Sequence, residues 1–160
     1  MTELETRQHE EEKTMKILLA VDGSKYSDTA IQTLISKIRK EDAEVLVLEV
    51  VEPRIFSTPP QMAAGYEPEL AEIMKEQCKQ AQQTVDRAAT ALKTAGFNAT
   101  GCVVEAETRT GILDRASEWH ADLIVLGSHG RKGLQRFMLG SVAESVSRSA
   151  YCSVLIVRAS

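Results

Sequence analysis

Residues 127–141 contain the best candidates in this chain for binding a phosphate group. Gly127 and Gly130 bracket a turn, where glycine allows positive φ and a close approach of the backbone to a ligand. Gly140 and Ser141 fall near the start of a helix, whose free N–H groups and partial positive charge attract anions. Three basic residues lie between the two pairs: Arg131, Lys132 and Arg136. The combination suits a polyphosphate, and the spacing alone is equally compatible with ordinary loop and helix-start residues.

The motifs of several nucleotide-dependent enzymes are absent from the sequence. Neither the P-loop pattern G-x-x-x-x-G-K-[ST] nor the dinucleotide-binding pattern G-x-G-x-x-G occurs. The nucleophile elbow G-x-S-x-G is also missing, so Ser128 is not predicted to be a nucleophile. These observations argue against a P-loop NTPase, a dinucleotide-dependent dehydrogenase and a serine hydrolase of that type.

Short apolar runs alternate with amphipathic segments along the chain, which predicts an α/β fold. Ser24 is predicted to cap the first helix and Gly96 to end the second. Alternating strands and helices indicate an open parallel sheet of five strands with helices on both faces. Ligands of such sheets bind beyond the carboxyl ends of the strands, near a switch in strand order. The predicted strands are residues 16–21, 45–51, 99–105, 122–126 and 153–157, and the predicted helices are residues 25–39, 68–95, 110–119 and 137 or 139 to 149.

Length and composition exclude several classes of protein. The 160 residues are 43% hydrophobic and 26% charged, which predicts one globular domain with its own core rather than a disordered chain. No apolar run approaches the roughly 20 residues of a membrane-spanning helix. Of the net charge of −4, −3 falls in residues 1–14, so the remainder has no basic field for a nucleic acid or an anionic membrane. Residues 1–14 are predicted to be a flexible acidic leader, and residues 15–160 a single domain.

The three cysteines, Cys78, Cys102 and Cys152, have no metal-binding or disulfide spacing. They are predicted to be small core or helix-face residues, and no metal site is predicted. Unpaired cysteines are compatible with the reducing cytoplasm, which is the expected location.

Glu49 interrupts the apolar run of the second strand. A carboxylate at this place is predicted to point toward the sheet edge or to meet a basic neighbour, and a role in the pocket is the alternative. The sequence alone does not choose between these interpretations.

The pattern G-x2-G-x9-G-[S/T], which Gly127, Gly130, Gly140 and Ser141 form, resembles that of the universal stress protein family. The segments KILLAVDGS, DLIVLGSHG and CSVLIV are similar to the same family, so the resemblance spans about residues 15–158. It implies a Rossmann-like sheet of the adenine nucleotide alpha hydrolase type, with strand order 3-2-1-4-5. It also implies a stress-response regulator that binds ATP, with Mg²⁺, at the carboxyl edge. Many members carry proline at two positions where this chain has Ala20 and Ser153.

The resemblance assigns roles to residues at the carboxyl edge. The ATP phosphates and ribose would contact Gly127, Gly130, Gly140, Ser141 and Val142. The adenine and backbone side would be formed by Ala20, Val21, Asp22 and Val50. The same pocket would be lined by Leu126, Ser128, His129, Gly130 and Arg131. The irregular residues 52–67 are expected to fold over the nucleotide.

Binding is favoured over turnover, because hydrolysis requires a base and a metal held by carboxylates. Asp22 is the one acid expected near the pocket, as a nucleotide contact, a cap, or a ligand of magnesium or water. Three interpretations are open for His129: a hydrogen bond to the phosphates, simple exposure to solvent, and proton transfer. No catalytic residue is predicted. A slow ATPase or phosphotransferase and a nucleotide-free scaffold are the alternative functions.

The fifth strand, an apolar edge, is expected to pair with the same strand of a second copy. A homodimer through Val154 to Val157 is therefore predicted, and the acidic leader is the rival cover for this edge.

Overall fold

A computed structural model describes residues 14–53, 67–131 and 138–159 of the chain. The five strands form one sheet in the order β3-β2-β1-β4-β5, and all neighbours are parallel. The strands are β1 (Met15–Ala20), β2 (Ala43–Val51), β3 (Asn98–Glu105), β4 (Leu123–Gly127) and β5 (Ser153–Val157). The helices are α1 (Lys25–Lys37), α2 (Glu67–Thr94), α3 (Thr108–Trp119) and α4 (Ser141–Ser149), with a short 3₁₀ turn at Lys40–Asp42. The predicted α/β fold and strand order are confirmed.

Two hydrophobic cores lie on opposite faces of the sheet. One face packs against α1 and α2 through side chains such as Ile17 and Leu19, and the other packs against α3 and α4 through Leu18. All three of these residues are fully buried, because β1 is central and covered on both faces. A strand covered on both faces needs apolar residues at successive positions, and β1 accordingly reads as an uninterrupted apolar run.

Two predicted caps are confirmed. The Ser24 hydroxyl accepts a hydrogen bond from the Ser27 N–H at 3.3 Å and so caps α1. Gly96 follows α2 with φ of +96°, the left-handed conformation that glycine adopts without steric cost.

The predicted start of the fourth helix is wrong. The sequence pattern placed it at residue 137 or 139, whereas α4 begins at Ser141 and Gly140 is its N-cap residue. Gly140 is extended, with ψ of 149°, and its N–H donates to the Ser128 carbonyl oxygen at 2.8 Å. Leu139 is partly buried and packs against the core that α3 and α4 cover, without being part of a helix. Residue 137 lies outside the described residues.

Other element boundaries shift by one or two residues. β4 begins at Leu123 rather than Asp122, because Asp122 binds the Lys16 backbone with both its N–H and its carboxylate. α1 ends at Lys37, since Ile38 is already extended. The leader predicted for residues 1–14 lies outside the described residues apart from Thr14, as does most of the predicted loop 52–67.

Candidate functional site

The strand order reverses between β1 and β4, which lie side by side at the centre of the sheet. Leu19 is in register with Val125, so the chain leaves β1 and β4 at neighbouring points of the carboxyl edge. A crevice opens at such a point because consecutive connections leave toward opposite faces. The predicted site residues that follow these two strands are therefore brought together.

Asp22 joins the end of β1 to the loop that follows β4. Its Oδ1 accepts the Ser24 N–H at 3.0 Å, and its Oδ2 accepts the Arg131 N–H, also at 3.0 Å. Gly23 has φ of +73°, which lets the chain turn directly from β1 into α1. The carboxylate thus stabilises the turn after β1 and the loop after β4 together.

The Arg131 side chain crosses the end of β1 and reaches β2. Its Nε donates to the Asp22 carbonyl oxygen, and its Nη2 forms an ion pair with Glu49 Oε1. Glu49 is only 4% exposed, whereas the Arg131 side chain is 61% exposed. The prediction that Glu49 meets a basic neighbour is confirmed by this contact.

The environment of Glu49 is unfavourable to its charged form. Burial raises the pKa of the Glu49 carboxyl above its usual value, the Arg131 guanidinium opposes the shift, and the nearby Asp22 adds to it. Glu49 Oε2 is buried and accepts no hydrogen bond from the described residues. A raised pKa means that the folded state binds this proton more tightly than the unfolded chain. The resulting contribution to stability is present at acid pH and is lost as the pH rises through the folded-state pKa.

The three glycines of the loop pattern lie where a side chain has no room. A Cβ on Gly127 would lie 2.7 Å from Tyr26 Cβ, and a Cβ on Gly130 would lie 2.9 Å from Asp22 Oδ2. A Cβ on Gly140 would lie 2.9 Å from the Ser128 carbonyl oxygen. Gly127 and Gly130 do not use the positive φ that glycine allows, since the described glycines with positive φ are Gly23 and Gly96. Close packing of the loop against α1, Asp22 and the start of α4 is the reason for glycine here.

The N-terminus of α4 meets this loop. Gly140 provides no side chain to cap the helix, and Ser141 is exposed at its first position. The first N–H groups of any helix lack intrahelical acceptors, and the helix dipole places partial positive charge on them. The site therefore offers backbone donors beside the Gly127–Gly130 turn.

The predicted apolar site residues differ in exposure. Val21 and Leu126 are buried, one in each of the two cores, so they belong to the packed interior beneath the carboxyl edge. Ala20 and Val50 are half-buried on the face that α3 and α4 cover. Val142, in the first turn of α4, is also half-buried.

Ser128 and His129 line a pocket beside the end of β5. Ser128 is 2% exposed, and its Oγ lies 3.0 Å from His129 Nδ1. The His129 ring centroid is 5.1 Å from that of Tyr26. Nε2 of His129 is buried without a hydrogen-bond partner among the described residues. The pocket is lined by Tyr26, Ser128, His129, Met138, Leu139, Arg158 and Ala159.

Comparison with known proteins identifies the family. The family model described as the universal stress protein family matches residues 13–158 of this chain. The chain belongs to the universal stress protein family. The universal stress protein YxiE of Bacillus subtilis is 34% identical over 145 residues, which cover 89% of this chain and 98% of that protein. A universal stress protein of Methanocaldococcus jannaschii is 35% identical over 143 residues, which cover 89% of this chain and 81% of that protein.

Solved structures of universal stress proteins share the fold. The protein UspA of Lactobacillus plantarum superposes with a TM-score of 0.79 at 25% identity, covering 91% of this chain and 99% of that one. Three others were solved with adenine nucleotides: one with cAMP, one from Archaeoglobus fulgidus with dAMP, and one from Arabidopsis thaliana with AMP. Their TM-scores are 0.63, 0.61 and 0.63, at 23, 22 and 16% identity, so they are compared for the fold.

Within this universal stress protein, the two departures from the family pattern fall outside the glycine loop. Ala20 ends β1 and is in register with Leu48, and Ser153 begins β5 opposite Leu123. None of the helices that the structure describes has the length and hydropathy of a membrane-spanning segment. The three cysteines, Cys78, Cys102 and Cys152, are unpaired and half-buried.

Proposed function

We propose that this universal stress protein binds ATP at the carboxyl edge between β1 and β4 and acts as a cytoplasmic regulatory module. One observation carries the proposal: the Gly140 N–H binds the Ser128 carbonyl oxygen, which brings the start of α4 against the glycine loop. A helix N-terminus beside a turn that glycines bracket is well suited to phosphate groups. The adenine nucleotides bound by three relatives of the same fold support the choice of base.

The proposed orientation follows from the chemistry of the two sides of the crevice. The phosphates would contact the N–H groups of Ser141 and Val142 and the turn from Gly127 to Gly130. The base would lie toward Ala20, the last residue of β1, and Val50, the last but one of β2, whose apolar side chains are half-buried. An apolar surface for the base and backbone donors for the phosphates are the usual parts of a nucleotide site.

Magnesium fits this site as a partner of the phosphates. The described residues contain no group of three or more His, Cys, Asp or Glu side chains that could bind a metal ion. Both oxygens of Asp22, the nearest acid, already accept backbone N–H groups. Mg²⁺ commonly keeps several waters and is bound through phosphates with one or two carboxylates. Asp22 is the carboxylate that would face it.

The first test is a calorimetric titration of nucleotide-free protein with ATP and magnesium. We expect a dissociation constant of about 1 μM, which corresponds to about −8 kcal/mol. AMP should bind at least about tenfold more weakly, because it lacks the β and γ phosphates for the α4 N-terminus. Absence of heat up to about 1 mM ATP would contradict the proposal and would favour a nucleotide-free dimeric scaffold.

We also propose that the protein forms a homodimer through β5. β5 is an edge strand, and Val154 and Ile156 on it are half-buried. The Val157 carbonyl oxygen accepts the Ser128 N–H at 2.7 Å, on the β4 side of the strand. Because alternate residues of a strand direct their backbone groups to opposite sides, those of Val154 and Ile156 face the free edge. A second copy paired there would close the edge by two-fold symmetry.

Replacing Ile156 with proline should therefore abolish the dimer and leave the sheet intact. Proline removes the outward N–H and is tolerated on edge strands, whereas pairing with β4 uses the other backbone groups. Light scattering should give about twice the 17.6 kDa chain mass for the natural protein and the chain mass for the variant.

Two controls complete this test. Ile156→Val keeps the N–H and should remain dimeric. Removal of residues 1–14 should also leave the dimer intact; if it changes the oligomeric state instead, the leader contributes to covering the edge.

A further inference from the structure

Glu49 is the only charged side chain among the buried residues that the structure describes. It lies in β2 between Leu48 and Val50, on the face that α1 and α2 cover, where Val45 and Val47 are fully buried. A buried carboxylate loses hydration, and its ion pair seldom stabilises a protein more than apolar residues of the same size would. Stability alone therefore gives no reason for an acid at this position.

The partner of Glu49 belongs to the glycine loop. Arg131 and Glu49 are 82 residues apart in the chain, and their ion pair spans the end of β1. The same arginine donates from Nε to the Asp22 carbonyl oxygen, and its backbone N–H donates to Asp22 Oδ2 at 3.0 Å. The side chain and the main chain of one residue thus connect the ends of β1, β2 and β4.

The position of Arg131 determines the position of the residue before it. Gly130 packs so closely that a Cβ there would lie 2.9 Å from Asp22 Oδ2. The planar guanidinium can bind the Asp22 carbonyl and the Glu49 carboxylate at once, which a lysine ammonium does in a less directed way. Without the Glu49 carboxylate, the Arg131 guanidinium loses its contact with β2.

We propose that Glu49 is a positioning residue for nucleotide binding: acting through Arg131, it holds residues 128–131 against the end of β1 in the conformation that receives the nucleotide. This proposal rests on the proposed ATP site and adds a residue in β2 that contacts the loop only through its arginine. Glu49 lowers the cost of ordering the loop, because the loop is already in place when the ligand arrives.

The test compares ATP affinities in a double-mutant cycle with Glu49→Gln and Arg131→Gln. Glu49→Gln has nearly the same shape and removes the charge, and we expect it to weaken ATP binding about tenfold. In the Arg131→Gln background, the same substitution should change the affinity less than about twofold, because the two residues act as one unit. Glu44→Gln, in the same strand but at the opposite end of the sheet, is the matched control and should bind ATP normally.

A second measurement needs no nucleotide. Hydrogen exchange of the Arg131 N–H, which binds Asp22, should be at least tenfold faster in Glu49→Gln than in the natural protein or in Glu44→Gln. The melting temperature of Glu49→Gln should stay within a few degrees of the natural protein. A general loss of structure would instead lower the melting temperature and accelerate exchange throughout the sheet.

The outcomes separate this proposal from the proposed function. Failure of the natural protein to bind ATP would overturn the ATP site, and exchange at Arg131 would then decide whether Glu49 positions the loop. Unchanged exchange in Glu49→Gln would overturn the positioning role. Tighter ATP binding by Glu49→Gln, or an equal loss in both arginine backgrounds, would overturn it as well.

Discussion

Replacement of Gly140 with valine is expected to lower the affinity for ATP at least about 100-fold. A Cβ at this position would lie 2.9 Å from the Ser128 carbonyl oxygen and 3.2 Å from the His129 Cα. Both contacts are with backbone, so the start of α4 must move away from the loop. Losing one or two hydrogen bonds to a charged phosphate, at about 1.5–3 kcal/mol each, accounts for the expected loss. Calorimetry with ATP and magnesium measures it directly.

The same substitution should also lower the free energy of unfolding by about 1–3 kcal/mol, as overpacking does elsewhere. Gly101→Ala separates the two effects, because a Cβ there would lie 2.2 Å from Val85 Cγ1 between β3 and α2. The Gly101→Ala variant should be less stable than the natural protein. Its ATP affinity should fall only to the extent that part of the variant is unfolded. If Gly140→Val binds ATP as well as the natural protein does, the junction of α4 and the glycine loop is not the phosphate site.

Asp22→Asn is expected to lower both stability and ATP affinity. The amide retains an oxygen for the Ser24 N–H, but its NH₂ group then faces the Arg131 N–H, so two donors oppose each other. Loss of a hydrogen bond to a charged acceptor should decrease the free energy of unfolding by about 1.5–3 kcal/mol. Because the loop is held less firmly, the dissociation constant for ATP should rise about tenfold. Chemical denaturation and calorimetry give the two values.

Ser24→Ala is the matched control for Asp22→Asn. It removes the cap of α1 on the same turn, which should cost about 1 kcal/mol of stability and leave the ATP affinity unchanged. A variant Asp22→Asn that is less stable but binds ATP normally would assign Asp22 to capping and bridging alone. Such a result would exclude its role as a nucleotide contact or magnesium ligand.

The elements of this protein could be predicted from the sequence because their signals are local. The fully buried run from Ile17 to Leu19 indicates a strand covered on both faces, and β5 was predicted with its observed bounds, Ser153–Val157. Ser24 begins α1 and Gly96 ends α2 as predicted, since caps depend on the conformation of a few adjacent residues. The start of α4 was misplaced because a contact with Ser128, twelve residues away, holds Gly140 out of the helix.

The residues that gather at the carboxyl edge could also be predicted, since the alternation of strands and helices places the loop after every strand there. Their contacts depend on the tertiary structure. Arg131 meets Asp22 across 109 residues and Glu49 across 82, and no local pattern encodes such pairs. The same holds for Gly130, whose lack of a side chain is required by Asp22 rather than by its own backbone conformation. The order of β2, β1 and β4 in the sheet sets these distances, because it determines which strand ends lie side by side.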